Sequence, residues 1–248
     1  MRAETRHSLK QDRFRGATIE VAEKTAHWTV EHKSKLITAG IIVVVLAAAL
    51  LGAWTYLNRQ NDQASVELSQ AVRTLDTQVR PAGVPPQPGY PSFGSEQERT
   101  TAAKKQLQAI VDKYPHTQTA DVARYFLGVT ASQLGDHATA ERELNEVASD
   151  HNQDLAAMGK LALAAVYRKD NKDPKAIDLY KQLMAKPTAT VGKVTAQLEL
   201  ASLYEAKQQT VEAKRIYEQI QKDNPATEVG SLAAQKLGEL NKAGVSGQ

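Results

Sequence analysis

The residue types that could do chemistry in this chain of 248 residues are its histidines and its acidic side chains. None of the six His has the spacing to another ligand that a metal site needs, and we expect His137 and His151 to be ordinary exposed residues. Cysteine is absent, and neither a Gly-rich phosphate loop nor a Gly-x-Ser-x-Gly motif occurs. The sequence therefore predicts a protein that is not an enzyme and that holds neither a cofactor nor a metal.

Two acidic segments come closest to a metal site. Residues 170–173 read Asp-Asn-Lys-Asp, which is similar to the start of a calcium loop. Lys172 stands where such a loop needs an oxygen ligand, and the Gly at its sixth position is missing, so we expect a turn between helices. We interpret Glu141, Glu143 and Glu146 as a solvated face of a helix.

The element that would position the rest of the chain is an apolar stretch, 36–57, which begins at Leu36 and ends at Leu57. Its 22 residues carry no charge, and as a helix they reach ~33 Å, about the thickness of a bilayer's hydrocarbon core. We therefore predict one transmembrane helix. Ala48 and Gly52 lie one turn apart on it, a spacing that lets two such helices approach closely and allows a homo-oligomer.

A cleaved signal peptide is the alternative interpretation of this stretch. Signal peptides have a short basic leader and an apolar core of ~7–15 residues, whereas here 35 residues precede a longer core. Residues 1–35 carry eight Lys or Arg against five acidic residues, and the remainder has 23 of each. Basic segments stay in the cytoplasm, so we expect a cytoplasmic tail and an exported domain. Because the exported part is neutral, no nucleic acid is expected as a partner.

The remainder of the chain divides by composition and periodicity. Residues 58–80 are predicted to form a juxtamembrane amphipathic helix, the first helix of a split repeat. Residues 81–95 contain five Pro and three Gly and are expected to form a loop with neither helix nor β-ladder. Residues 96–243 are predicted to be entirely helical and repetitive, ending in a capping helix, and 244–248 form a short tail.

The repeat is defined by small residues at fixed intervals. Ala103, Ala140, Ala176 and Ala213 lie 37, 36 and 37 residues apart, and each is followed four residues later by Leu or Tyr. Leu followed by Gly or Ala occurs 12 residues before the last three and once more near the end. The other residues expected to pack the repeats are Gly128, Ala164, Tyr167, Tyr180, Ala201, Tyr204, Tyr217 and Gly238.

This pattern resembles the tetratricopeptide repeat, in which Leu-Gly-x-x-Tyr marks the first helix and Ala-x-x-x-Phe followed by Pro marks the second. The Trp that the family has in its first helix is missing, and the period exceeds the usual ~34 residues. The resemblance implies stacked helical hairpins. The predicted fold class is therefore all-α, an N-terminal transmembrane helix followed by a tetratricopeptide-repeat α-solenoid.

The resemblance also implies a concave groove lined by the first helices. With Gly128, Ala164 and Ala201 counted as position eight, we predict that positions two, five, nine and twelve line it. The basic clamp that some members use to hold a C-terminal carboxylate is absent. The alternative is a core surface covered by a neighbouring helix or subunit. The predicted lining residues are Val122, Tyr125, Val129, Ser132, Met158, Leu161, Ala165, Arg168, Thr195, Leu198, Ser202 and Glu205.

The layout of basic tail, one span and repeat array is similar to the ancillary subunit of the bacterial SecYEG translocon, the YfgM-like family. That resemblance implies an inner-membrane protein whose repeats lie in the periplasm and bind emerging substrates or a periplasmic chaperone. A scaffold for outer-membrane assembly or cell division, of the Tol-Pal coordinator type, is the second hypothesis. Such scaffolds are usually lipid-anchored or soluble, and this chain has no Cys to lipidate. A mitochondrial import receptor is the third.

Overall fold

The computed structural model describes residues 33–81, 83–85 and 92–245. Within those residues it contains nine helices and no strand, which confirms the predicted all-α class. The helices are α1 (Lys33–Asp76), α2 (Glu96–Lys113), α3 (Gln118–Gln133), α4 (His137–Ala148), α5 (Gln153–Lys169), α6 (Asp173–Ala185), α7 (Lys193–Ala206), α8 (Thr210–Asp223) and α9 (Glu228–Val245). Residues 1–32 of the predicted tail, most of the Pro-rich loop and residues 246–248 lie outside the described part.

Helix α1 begins with an apolar segment that buries nothing. From Ile37 onward it is long and apolar enough to cross a membrane, and its most apolar window has a mean hydropathy of 2.5 with 0% of its residues buried. Leu50 is 71% exposed and Trp54 is 65% exposed. A core helix of a soluble protein would bury such side chains, so this segment is a candidate membrane span. Contacts divide the chain after Leu57, and the two parts are described separately.

Residues 58–76 of α1 pack against α2 and the start of α3. Ala64 and Ala71 are fully buried in one apolar cluster with Leu107 and neighbouring residues. Glu67 accepts hydrogen bonds of 2.8 Å from both Lys113 Nζ and the Tyr114 hydroxyl. These contacts place residues 58–76 beside α2.

One isolated bridge joins the two ends of the Pro-rich loop. Val79 and Phe93 form a single parallel bridge, in which Arg80 N donates to Phe93 O at 2.8 Å. One isolated bridge is not a β-ladder, and no helix or strand lies within the described residues of the loop, 81, 83–85 and 92–95. Helix α2 starts immediately afterwards, where the Ser95 side chain caps it by accepting from Glu98 N at 3.1 Å.

Small residues set the distance between the helices of a hairpin. Gly128 on α3 lies against Leu144 on α4, and a Cβ placed on this glycine would stand 2.5 Å from Leu144 Cγ. Both Leu144 and Ala140 are 0% exposed. The close approach of α3 and α4 therefore depends on having no side chain at this position.

The turn inside each later hairpin has one backbone geometry. Gly135, Asn171 and Gln208 adopt positive φ values of 76°, 55° and 59°, respectively. The amide of the next residue donates to a carbonyl five residues earlier, from Asp136 to Ala131 (2.9 Å), Lys172 to Tyr167 (2.8 Å) and Gln209 to Tyr204 (2.9 Å). This is the Schellman arrangement that ends a helix with a left-handed residue. It recurs although only one of the three positions holds Gly.

The hairpins stack in series. From α2 to α9 each helix contacts the next one along the chain, and α3 also contacts α5. Tyr180 and Tyr217 fill the spaces between helices and are 0% and 3% exposed. The buried side chains form consecutive clusters along the stack, as expected for a solenoid whose units bury apolar surface against their neighbours.

Candidate protein-binding face

The residues predicted to line a groove lie on three helices, each the first of its hairpin. Helix α3 carries the first four, α5 the second four and α7 the last four. Ten of the twelve are half-buried, whereas Ala165 and Thr195 are exposed. We call this set the inner groove. The structure brings α3 and α5 into direct contact, which places the first two groups beside each other.

The centre of the inner groove is apolar. Tyr125, Met158 and Leu161 rest on the same core cluster, and Leu198 rests on the next cluster along the stack. Each keeps part of its surface open to solvent, because all four are half-buried. Partly exposed apolar side chains on successive helices form the type of surface that protein partners cover.

One end of the inner groove is polar and internally paired. Arg168 Nη1 on α5 donates to Glu199 Oε2 on α7 at 2.8 Å, and Nη2 donates to the Ser202 hydroxyl at 3.3 Å. Glu199 is not among the twelve residues predicted from the sequence. Because Glu199 neutralises the charge of Arg168 within the protein, Arg168 offers no free cation to a carboxylate ligand.

Glu205 lies at the corresponding position on α7 and faces the core of its own hairpin. Burial raises the pKa of the Tyr217 hydroxyl above its usual range, and a hydrogen bond with Glu205 raises it further. Tyr217 therefore stays a neutral hydroxyl.

The acidic residues of α4 were predicted to form a solvated face, and the structure differs from that prediction at one of them. Glu146 is exposed, but Glu143 is only 3% exposed and is not solvated. Glu143 lies 3.1 Å from Arg124 Nη1 and 2.7 Å from Arg142 Nη2. Two guanidinium groups compensate the buried carboxylate, so this site is structural rather than catalytic. The sequence could have predicted the burial of Glu143, because this residue lies three residues after Ala140 and four before Val147, on the buried face of the helix.

The structure agrees with the histidine prediction at one of the two positions and differs from it at the other. His151 is exposed as predicted, but His137 is half-buried and its Nδ1 lies 2.6 Å from Asp170 Oδ1. Asp170 belongs to the segment that is similar to a calcium loop, and that segment is the predicted turn between α5 and α6. Across the described residues, no three His, Asp or Glu side chains are grouped as a metal site would require.

A network of charges joins the second and third hairpins. The Tyr167 hydroxyl donates to Glu141 Oε1 at 3.2 Å, and Lys172 Nζ donates to Glu141 Oε2 at 2.7 Å. Lys175 Nζ lies 3.5 Å from the same carboxylate and 4.9 Å from the centre of the Tyr167 ring. The hydrogen bond from Lys172 holds the pKa of Glu141 below its usual range. The network covers Tyr167.

Comparison with known protein families agrees with this architecture. A family described as tetratricopeptide repeat-like domain matches residues 27–179, more than half of the chain. A second family, described as tetratricopeptide repeat, matches residues 195–227. No curated protein and no solved structure matches the chain. Such repeats are typically modules for protein–protein interaction rather than enzymes. The chain belongs to the tetratricopeptide repeat-like family.

Proposed function

We propose that this protein is a membrane-anchored, non-enzymatic binding protein whose inner groove holds apolar segments of other proteins. The observation that carries the proposal is the row of half-buried apolar side chains on three successive hairpins, centred on Tyr125, Leu161 and Leu198. Apolar side chains of an extended polypeptide can bury surface there without any chemical step. All twelve predicted residues act as the lining in this proposal.

The candidate span bears on where the inner groove lies in the cell. We propose that residues 36–57 cross the bacterial inner membrane once, with residues 1–35 in the cytoplasm and 58–243 in the periplasm. The excess of Lys and Arg before the span supports this orientation. An anchored receptor searches a membrane surface rather than a volume, which raises its effective concentration near other membrane proteins.

The partner that fits this setting best is the Sec translocon together with a periplasmic chaperone. Emerging substrates present unfolded apolar segments at the exit of the translocon, and the inner groove is apolar. The layout of the chain, similar to the YfgM-like family, supports the same assignment.

Co-purification tests the proposal directly. The full-length protein is extracted from membranes in mild detergent, and translocon subunits in the purified sample are quantified by mass spectrometry. We expect these subunits to be enriched over a mock purification. Recovery of division or outer-membrane assembly proteins instead would favour the scaffold hypothesis and contradict the translocon assignment.

Substitutions separate the groove from the anchor. Tyr125→Glu, Leu161→Glu and Leu198→Glu together should abolish partner recovery while leaving far-UV circular dichroism unchanged, because charged side chains cannot bury against an apolar segment. Val211→Glu is the matched control, since Val211 is an apolar residue on α8 that is 78% exposed and lies outside the groove. Undiminished recovery with the triple variant would show that the groove is assigned to the wrong surface.

A further inference from the structure

A second surface of the stack has the features of a binding site. The second helices α6 and α8 flank a cleft of about 380 Å³ whose floor is α7. We call it the outer cleft. Met184, Leu200 and Ile216 make its surface mainly apolar. Its volume falls within the range of ~300–1,000 Å³ typical of ligand sites.

An unpartnered amide lies in this cleft. Gln197 lines the cleft and is only 2% exposed, yet its side chain makes no hydrogen bond to any residue that the structure describes. Neither of its amide atoms is fully enclosed, so both reach the cleft, where solvent or a ligand can form hydrogen bonds with them. The Tyr204 hydroxyl, on the same helix, also has no protein partner in the described part of the chain. A ligand able to both donate and accept hydrogen bonds would satisfy these groups.

The preceding junction differs in how its tyrosine is covered. There Glu141, Lys172 and Lys175 cover Tyr167, as described above. At 36 or 37 residues further on, the sequence has Tyr204 for Tyr167, Ile177 for Glu141 and Glu212 for Lys175. Of these three residues, Tyr204 and Glu212 line the outer cleft. Without the carboxylate, the network that covers the tyrosine cannot form, and Tyr204 stays half-buried at the outer cleft.

The rim of the outer cleft carries two cations. Lys181 and Arg215 line it, and neither has an acidic group within ion-pair distance among the described residues. Glu212 is the one acidic side chain among the lining residues and likewise forms no ion pair in the described part. The preceding junction, in contrast, pairs its lysines with Glu141. The rim therefore has an uncompensated positive charge.

We propose that the outer cleft binds an extended segment of a partner protein in which a bulky apolar side chain stands beside acidic residues. The apolar side chain fills the space over Met184 and Ile216, and the backbone N–H and C=O of the segment pair with Gln197. The acidic residues lie against Lys181 and Arg215. An acyl chain could fill the apolar space but has no N–H and C=O groups along its length for Gln197, so a peptide fits better.

Peptide binding to the full chain in phosphatidylcholine nanodiscs tests this proposal. The probes are three fluorescein-labelled decapeptides that share a central Leu-Phe pair and differ only in flanking residues, which are Asp, Ser or Lys. Fluorescence anisotropy should rank them in that order, with about tenfold between the first and the last, because each exposed ion pair contributes little by itself. Equal affinity for the three peptides, or binding of spin-labelled palmitate in place of the acidic peptide, would overturn the proposal.

Two sets of variants locate the site. Lys181→Glu with Arg215→Glu changes exposed side chains only and should weaken the Asp-flanked peptide about tenfold, whereas Lys222→Glu, an exposed cation of α8 outside the cleft, should not. Ile177→Glu with Glu212→Lys rebuilds the pair that covers Tyr167 in the preceding junction, here over Tyr204, and should abolish binding with unchanged circular dichroism. Wild-type affinity in either double variant would refute the assignment. Leu161→Glu, which changes the inner groove, should leave this binding intact.

Discussion

The contact between Gly128 and Leu144 yields the sharpest test of how the hairpins pack. Gly128→Ala adds one methyl group 2.5 Å from Leu144 Cγ, well inside van der Waals contact. Leu144 is 0% exposed and cannot swing into solvent. Gly238 occupies the same repeat position on α9, but nothing lies within 4 Å of its added Cβ. Gly238→Ala is therefore a control with the same chemical change and no clash.

The two substitutions should have opposite signs. Replacing Gly with Ala inside a helix gains ~0.8–1 kcal/mol of helix propensity. Overpacking a filled core costs ~1–3 kcal/mol. Gly128→Ala should therefore lower the free energy of unfolding by about 1 kcal/mol, the overpacking cost less the propensity gain, and Gly238→Ala should raise it by about the same amount.

Urea denaturation of the detergent-solubilised chain, followed by circular dichroism, measures both values. Leu144→Ala removes the clash and leaves a cavity, with a cost of ~2–5 kcal/mol by itself. In that background Gly128→Ala should become stabilising, because its methyl group fills part of the cavity. If Gly128→Ala matches Gly238→Ala in the native background, or stays destabilising beside Leu144→Ala, the packing argument is wrong.

Three further predictions concern the pH dependence of stability, the helix turns and the anchor. A hydrogen bond from Lys104 lowers the pKa of Asp136 to about 2, so its stabilisation is present above the unfolded-state pKa and is lost between about pH 4 and pH 2. Asp136→Asn should reduce the slope of the unfolding free energy against pH over that window, as measured by urea titrations at several pH values. Gln208→Gly should raise the unfolding free energy by ~0.5–1 kcal/mol in the same assay, because a left-handed residue other than Gly is strained. Leu46→Lys with Leu50→Lys should release the protein from membranes during alkaline extraction, since each lysine at the centre of a span costs ~2.5–3.5 kcal/mol.

The regular parts of the fold could be predicted because each depends on local sequence. Ser95 indicated where α2 begins, and the spacing of Ala140, Ala176 and Ala213 identified the second helices. The period of the small and aromatic residues carries this information directly. The number and order of hairpins follow from the period, since stacked units contact only their neighbours.

Features that depend on side-chain direction were harder to predict. Glu143 was misinterpreted because charge alone was considered, although its helical position places it on the buried face. The outer cleft was not predicted because it depends on the absence of a charged network over Tyr204. A repeat pattern identifies the residues that pack the helices and does not show which side chains reach a neighbouring tyrosine. The inner groove stays a prediction, as half-burial of Leu161 or Leu198 is compatible with a peptide or with a covering subunit.

The serial contacts of the helices also bear on how this protein is made. Since α2 to α9 each contact the next helix along the chain, few contacts join distant parts of the sequence. Low contact order favours rapid folding, and a hairpin can form once its second helix has been synthesised. The nascent chain can therefore assemble progressively from its N-terminal side, and each finished hairpin offers the next one a surface to fold against.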